Sequence, residues 1–329
     1  MAKRLIGIDV MQGIAMVLVV LGHHLFSFMP AWYKQMFAWI YTFHMPLFIF
    51  ISGFLIRYSY KGVNGWKEYK QYVTKRIKKF FLPFLIVGTI GTFATWNFND
   101  VNALLNNLLN LIISPKQSEV TFLWYIYLLF IFYCIAPIIF NAKLWIKVLL
   151  FIVAVYLSTH VIPIGYICID WFTRYFVFFL CGAFVAKNYH KITQHKKICL
   201  SICIGSFVAF ILMSIAILTG NSNSILRYLI QWLGIPTFAL MSYFLKQCSW
   251  INKALVYISV NCFGIYLLHM FFVQAGALFI TNLPLDIPSW GYIIYLILST
   301  TFSISTTALI WKLFNNKQKL KSVLKDKKR

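Results

Sequence analysis

The sequence predicts an all-α polytopic membrane protein of about ten transmembrane helices with both termini cytoplasmic, and three observations predict it. Of its 329 residues, 61% are hydrophobic and only 11% charged, whereas a globular domain carries about a quarter charged residues; such a chain cannot keep a normal surface in water. Its polar residues are gathered between long apolar runs, the pattern of a multi-spanning helical protein. Its basic residues form short strips between those runs, so the formal charge of +23 reads as a positive-inside bias. A basic soluble face for nucleic acid is absent, and no nucleic-acid partner is expected. Disorder, coiled coil and a disulfide scaffold fail on the same composition.

A span needs roughly 20 mostly apolar residues. The first, Ile6–Met29, is too long for a signal peptide, carries polar residues inside and has no small-residue cleavage site after it. The others are Phe37–Tyr58, Phe80–Trp96, Leu123–Phe140, the two short runs Leu144–Leu157 and Phe172–Ala186, then Ile198–Leu218, Ile225–Leu245, Val256–Ile280 and Tyr292–Trp311. With the N-terminus inside, the inner regions hold 26 of the 30 Lys and Arg residues, and only Lys34, Lys116, Arg174 and Arg227 fall outside. One miscounted span would scramble that split. Residues 1–312 read as a single membrane domain and 313–329 as a basic cytoplasmic tail held on anionic lipid. The Asn-rich stretch Asn97–Asn110 reads as an external loop with a short surface helix.

The seven cysteines are scattered along or beside spans without zinc-ligand spacing, so no metal is expected and small buried hydrophobes are the simplest reading. Glycine-rich nucleotide loops and the GxSxG serine-hydrolase elbow are missing.

Ionisable groups inside spans cost several kcal/mol each, roughly, and ask for a partner or a purpose. On a helix turning about 100° per residue, Asp9, Gln12, Met16 and His23 fall within roughly a 60° arc, and His24 points about 100° away. This stripe is either a structural seam bonded to neighbouring helices or a functional one. In the second span His44 lies at a depth similar to His23, so the two can share a cavity, and Pro46 removes a backbone donor just beyond it. In the ninth, Asn261 and His269 stand near mid-membrane. Between spans two and three, YKGVNGWKEYKQYVTKRIKKFFLPFL is a dense basic strip. It is either a topology signal or a cytoplasmic site for a phosphorylated ligand, with Arg76 and Lys79 a turn apart on one helix face.

GIDVMQGIAMVLVVLGHH, TFHMPLFIFISGFLIR and TKRIKKFFLPFL, followed by FLWYIYLLFIFYCIAPII, RYFVFFLCGAFVAK and SVNCFGIYLLHMFFV, resemble in order the acyltransferase-3 family of integral membrane acyltransferases. The nearest branch is the fucose 4-O-acetylase-like and polysaccharide O-acetyltransferase proteins. The resemblance covers nearly the whole chain. It implies a membrane-bound O-acyltransferase that moves an acyl group, acetyl for most members, from acetyl-CoA or another acyl-CoA co-substrate to a sugar hydroxyl. The acceptor would be a cell-envelope or exopolysaccharide glycan or a lipid-linked sugar. No permanently bound cofactor is implied.

The family's first-span pattern is an arginine followed eleven residues later by the key histidine. Here that histidine is His23, the preceding acid is Asp9, and Gln12 holds the arginine's place. Glutamine brings one amide and no charge. Either a nearby lysine supplies the charge, or this branch holds its donor differently, or activity is weak or lost. The family's basic pair linked to acyl-CoA is matched by Arg76 and Lys79, with Lys75 beside them. On this reading His23 removes the proton from the sugar hydroxyl or briefly carries the acyl group. Asp9 and Gln12, roughly 16 to 21 Å down the same helix, line the path of the donor's pantetheine arm, while Lys75, Arg76 and Lys79 hold its phosphates. His44, Trp124, Asn261 and His269 are expected in the substrate pocket. Two competitors remain from the sequence: a polytopic transporter or flippase, and a non-catalytic accessory subunit of polysaccharide assembly. A bacterial plasma membrane is the expected location. The oligomeric state is left open.

Overall fold

The computed structural model describes residues 4–26, 29–95, 100–220, 223–281 and 289–326, and every regular element among them is helical. The order is α1 (Ile6–Leu21), α2 (Ala31–Tyr58), α3 (Gly65–Arg76), a π-helical turn (Ile77–Phe81), α4 (Leu82–Thr95) and α5 (Val101–Ile113). Then come α6 (Trp124–Asn141), α7 (Leu144–Thr159), α8 (Ile169–Lys187), α9 (Tyr189–Gln194), α10 (Lys196–Leu218), α11 (Ser224–Leu245), α12 (Ser249–Thr281) and α13 (Ser289–Asp326). Eight segments are long and apolar enough to cross a membrane. The other two expected spans are α1 and α7, each of 16 residues, or about 24 Å, shorter than a hydrocarbon core of about 30 Å. The chain is an all-α, multi-pass membrane protein. The short helix expected in the Asn-rich loop is α5, capped by Asp100, whose carboxylate accepts from the Ala103 N–H at 2.8 Å. Trp96, the expected end of the third span, and residues 97–99 lie outside the described residues.

Two boundaries differ from the sequence reading. First, α1 stops at Leu21 instead of running to Met29, so His23 and His24 sit in the turn beyond it. The helical arc that placed His23 on the stripe of Asp9 and Gln12 is therefore corrected: the stripe ends before the histidine. A helix can end inside a membrane only where its orphan carbonyls find donors. The Gly22 N–H takes the Leu18 carbonyl, the Nδ1 atoms of His23 and His24 take those of Val19 and Val20, and the Tyr33 hydroxyl donates to Leu21 O; just beyond the helix the Tyr292 hydroxyl donates to His24 O at 2.8 Å. Secondly, the basic strip is the helix α3, which runs through the π-turn into α4. Hydrogen bonding from i to i+5 widens that turn, so three residues no longer complete one. Arg76 and Lys79 stand at the start of that turn, close enough to interact electrostatically.

The chain divides into two compact units, Ile49–Lys196 and Lys3–Phe48 with Lys197–Arg329. In the first, the last part of α2 meets α8 through a reciprocal pair of glycines. A Cβ on Gly53 would collide with the Phe179 carbonyl, and one on Gly182 with the Phe50 carbonyl. Small residues let membrane helices approach this closely and gain van der Waals contact. Phe132 and Phe179 stack at 4.5 Å between α6 and α8. Outside the spans, Lys116 pairs with Asp170 at 2.7 Å.

In the second unit α1 packs on α12, α11 and α13. Gly13 lies so close to α12 that any Cβ would strike the Leu255 carbonyl. Buried Tyr33, Tyr292 and Tyr295 form an aromatic cluster beneath the end of α1. α10 has few buried positions, and a helix apolar on every face needs no protein cover in lipid.

Candidate functional site

The end of α1 brings histidines together. The Nδ1 of His23 lies 2.6 Å from the Val19 carbonyl, which can only accept, so Nδ1 carries the proton and Nε2 is left with a lone pair. His269, on α12, has its Nδ1 on the carbonyls of Tyr266 (2.9 Å) and Ile265 (3.1 Å). Its Nε2 is therefore an acceptor, and it stands 3.4 Å from His23 Nδ1. One N–H of His23 is thus shared between Val19 O and His269 Nε2, with the two rings edge to face at 4.8 Å. Ser303 on α13 donates to the His269 carbonyl at 3.1 Å.

The other two histidines follow the same local rule. His24 donates from Nδ1 to Val20 O at 3.0 Å, and its Nε2 accepts from the Ser299 hydroxyl at 3.1 Å. His44 donates from Nδ1 to Ile40 O at 2.8 Å, packs edge-on against Tyr41 at 4.6 Å, and interacts electrostatically with His23. His24, His44 and His269 are at most 1% exposed, whereas His23 is only half-buried. Among these four residues His23 alone is not fully buried, and its Nε2 has no hydrogen-bond partner among the described residues. It can take a proton from an incoming hydroxyl. Its N–H partners hold the ring in place and would stabilise the cation that results.

A second polar cluster occupies the start of α1. Asp9 pairs with Arg4 at 2.5 Å. Ser259 on α12 donates to Gln12 Oε1 at 2.8 Å and reaches Asp9 Oδ1 at 3.4 Å. Sequence reasoning missed Arg4 and Ser259. Arg4 precedes the helix and counted only as an inside charge; Ser259 stands two residues before Asn261 in an otherwise structural-looking stretch. Asn261 itself is buried and donates to the Tyr257 carbonyl of its own helix at 2.9 Å, apart from the histidines.

In the first unit Arg76 is half-buried, with its guanidinium over the rings of Tyr72 (4.8 Å) and Tyr133 (4.5 Å). Its Nε is buried with no hydrogen-bond partner. Lys75 and Lys79 are exposed, Lys79 over the ring of Phe80 at 5.0 Å. The arrangement suits an anion: a stacked, oriented guanidinium flanked by mobile ammonium groups. Trp124 stands at the head of α6, stacked on Trp171 at 4.3 Å.

The membrane part thus holds a half-buried imidazole, and a cationic helix precedes the third span. Over residues 5–308 the chain matches the family model described as Acyltransferase domain, and it belongs to the acyltransferase-3 family. It is also similar to the nodulation protein NolL of Mesorhizobium japonicum, with 31% identity over 135 residues, covering 39% of this chain and 34% of that protein. The chain thus spans about a third of the relative it matches. No solved structure is significantly similar.

Proposed function

We propose that this acyltransferase moves an acetyl or other short acyl group from acyl-CoA to a sugar hydroxyl of a cell-envelope glycan or its lipid-linked precursor, in a bacterial plasma membrane. The observation that supports the proposal is the state of His23: Nδ1 committed to Val19 O and His269, and Nε2 without a hydrogen-bond partner among the described residues. In the reaction the sugar O–H proton passes to Nε2 as the oxygen bonds to the thioester carbonyl carbon. The tetrahedral adduct then expels the thiolate, the C–S bond breaks, and the imidazolium returns its proton to sulfur. The products are a sugar ester and free CoA. His269 acts here as a positioning residue, accepting from the N–H of His23 throughout. His44, which interacts electrostatically with His23, borders the same centre. Trp124 and Asn261 are further candidates for contacts with the acceptor sugar.

Depth supports an acceptor near the outer surface. With the N-terminus inside, the 16 residues of α1 lift His23 about 24 Å from its inner end, into the outer half of the bilayer. Asp9 and Gln12 remain at the inner end, where Arg4 supplies the cation that glutamine lacks. Lys75, Arg76 and Lys79 are proposed separately as the groups that hold the donor's phosphates.

The test uses the purified protein in lipid nanodiscs with acetyl-CoA, reading free thiol with and without a glycan acceptor. Acceptor-dependent release of CoA is expected, falling by about 10² to 10⁴ in His23→Ala at unchanged protein level. Undiminished acylation in that variant would remove His23 from the chemistry.

A further inference from the structure

Away from the histidines, the first unit contains a cavity of about 680 Å³ formed by α6, α7 and α8 with the inner end of α2. Its walls are apolar, among them Ile139, Val148, Phe151, Leu180 and Phe184. Its mouth carries Arg57, Lys147 and Lys187. Arg57 is one residue from the end of α2, Lys147 lies in the first turn of α7, and Lys187 is the last residue of α8. The charge count puts all three helix ends on the cytoplasmic side.

The three charges are close enough to repel one another. No Asp or Glu lines the cavity, and the described ion pairs involve other residues. Lys147 donates to the Phe140 carbonyl at 2.9 Å, and the Arg57 guanidinium lies over the rings of Phe140 (5.1 Å) and Tyr60 (5.6 Å). An ammonium has three donors and a guanidinium five, so most of their hydrogen-bonding capacity is unspent.

A cationic rim of this kind calls for an anion, and the apolar cavity behind it calls for a hydrocarbon chain. Free phosphate would satisfy the rim and leave the cavity without a partner. The same walls are open towards lipid: Val148 is 50% exposed and Phe184 66%. Basic pockets between membrane helices on the cytoplasmic side recognise anionic headgroups in this way. We propose that the cavity binds one anionic phospholipid of the inner leaflet, its phosphate among Arg57, Lys147 and Lys187 and an acyl chain along α7 and α8.

The test is native mass spectrometry of the full-length protein titrated with phosphatidylglycerol or phosphatidylcholine. One tightly held phosphatidylglycerol is expected, with phosphatidylcholine at least tenfold weaker. At about fivefold per charge, Arg57→Gln with Lys147→Gln and Lys187→Gln should weaken it about a hundredfold. Competition with millimolar inorganic phosphate or CoA should leave the lipid bound. Equal binding of the two lipids, an unchanged triple variant, or displacement by either soluble phosphate would overturn the proposal. Should the triple variant not fold, Lys147→Gln alone gives a second reading: phosphatidylglycerol binding should weaken about fivefold, and unchanged binding would refute the site.

Discussion

Replacing His269 with leucine keeps a side chain of similar bulk in a fully buried position and deletes the acceptor that faces His23 Nδ1. A hydrogen bond to a group that becomes charged contributes about 1.5–3 kcal/mol. Two features of the geometry select the lower end. At 3.4 Å the contact is long, and the Val19 carbonyl, at 2.6 Å, remains to hold the ring. A loss of about 1.4 kcal/mol corresponds to tenfold in rate, well short of the 10² to 10⁴ expected for loss of the base itself. The assay is acceptor-dependent CoA release at saturating substrates, with melting temperature followed in parallel.

The tenfold loss alone does not separate positioning from a general weakening of the fold, so two further variants carry the argument. His269→Gln places an amide oxygen, an acceptor, on the same helix position and should recover part of the rate. His23→Ala combined with His269→Leu should be no slower than His23→Ala alone, because a positioning residue has nothing left to position. Full additivity of the two losses, or no recovery with glutamine, would show that His269 does not act through His23.

Arg76→Ala with Lys79→Ala should raise the acyl-CoA concentration needed for half-maximal rate by about tenfold or more, since a charged hydrogen bond is worth about 1.5–3 kcal/mol. An unchanged donor requirement would leave the strip as a topology signal. Arg4→Gln should lower activity by unpairing Asp9, whose side chain is only 13% exposed, and Gln12→Arg in that background should restore it. Failure of the restoration would show that the two positions do not exchange the same charge.

The spans were legible because apolar length and basic flanks are carried by every residue of a run, and an error in one shows in the whole charge alternation. The end of α1 was not. LVVLGHHLFSF stays apolar enough to continue a helix, and the donor that takes up the Leu21 carbonyl is the Tyr33 hydroxyl of α2, a contact that no local pattern encodes. For the same reason the helical arc linked His23 to the wrong neighbours. His23 and His269 are 246 positions apart, and each was selectable as a costly imidazole in a membrane, but their pairing depends on packing. Arg4 shows the opposite failure. A cation at the head of a span is fully accounted for by topology, so nothing in the sequence asks it to do more until Asp9 is found within 2.5 Å of it.

The two polar centres of α1 are read by the same partner. Near its start Gln12 receives a hydrogen bond from Ser259, and just past its end His23 shares a proton with His269. Eleven residues separate the first pair of positions, nine of them helical as far as Leu21, and ten helical residues the second, about 14 and 15 Å of helix at 1.5 Å per residue. The rises match, so α1 and α12 run side by side in register over that distance. What keeps the register is the backbone contact of Gly13 with Leu255, beside the lower pair, where a side chain of any size would force the helices apart. A rigid pair of this kind sets the height of the imidazole above the Arg4–Asp9 cluster to within the slack of single hydrogen bonds. That is the tolerance a proton transfer requires of its base, and it explains why a histidine placed beyond a helix end can still be held as firmly as one within it.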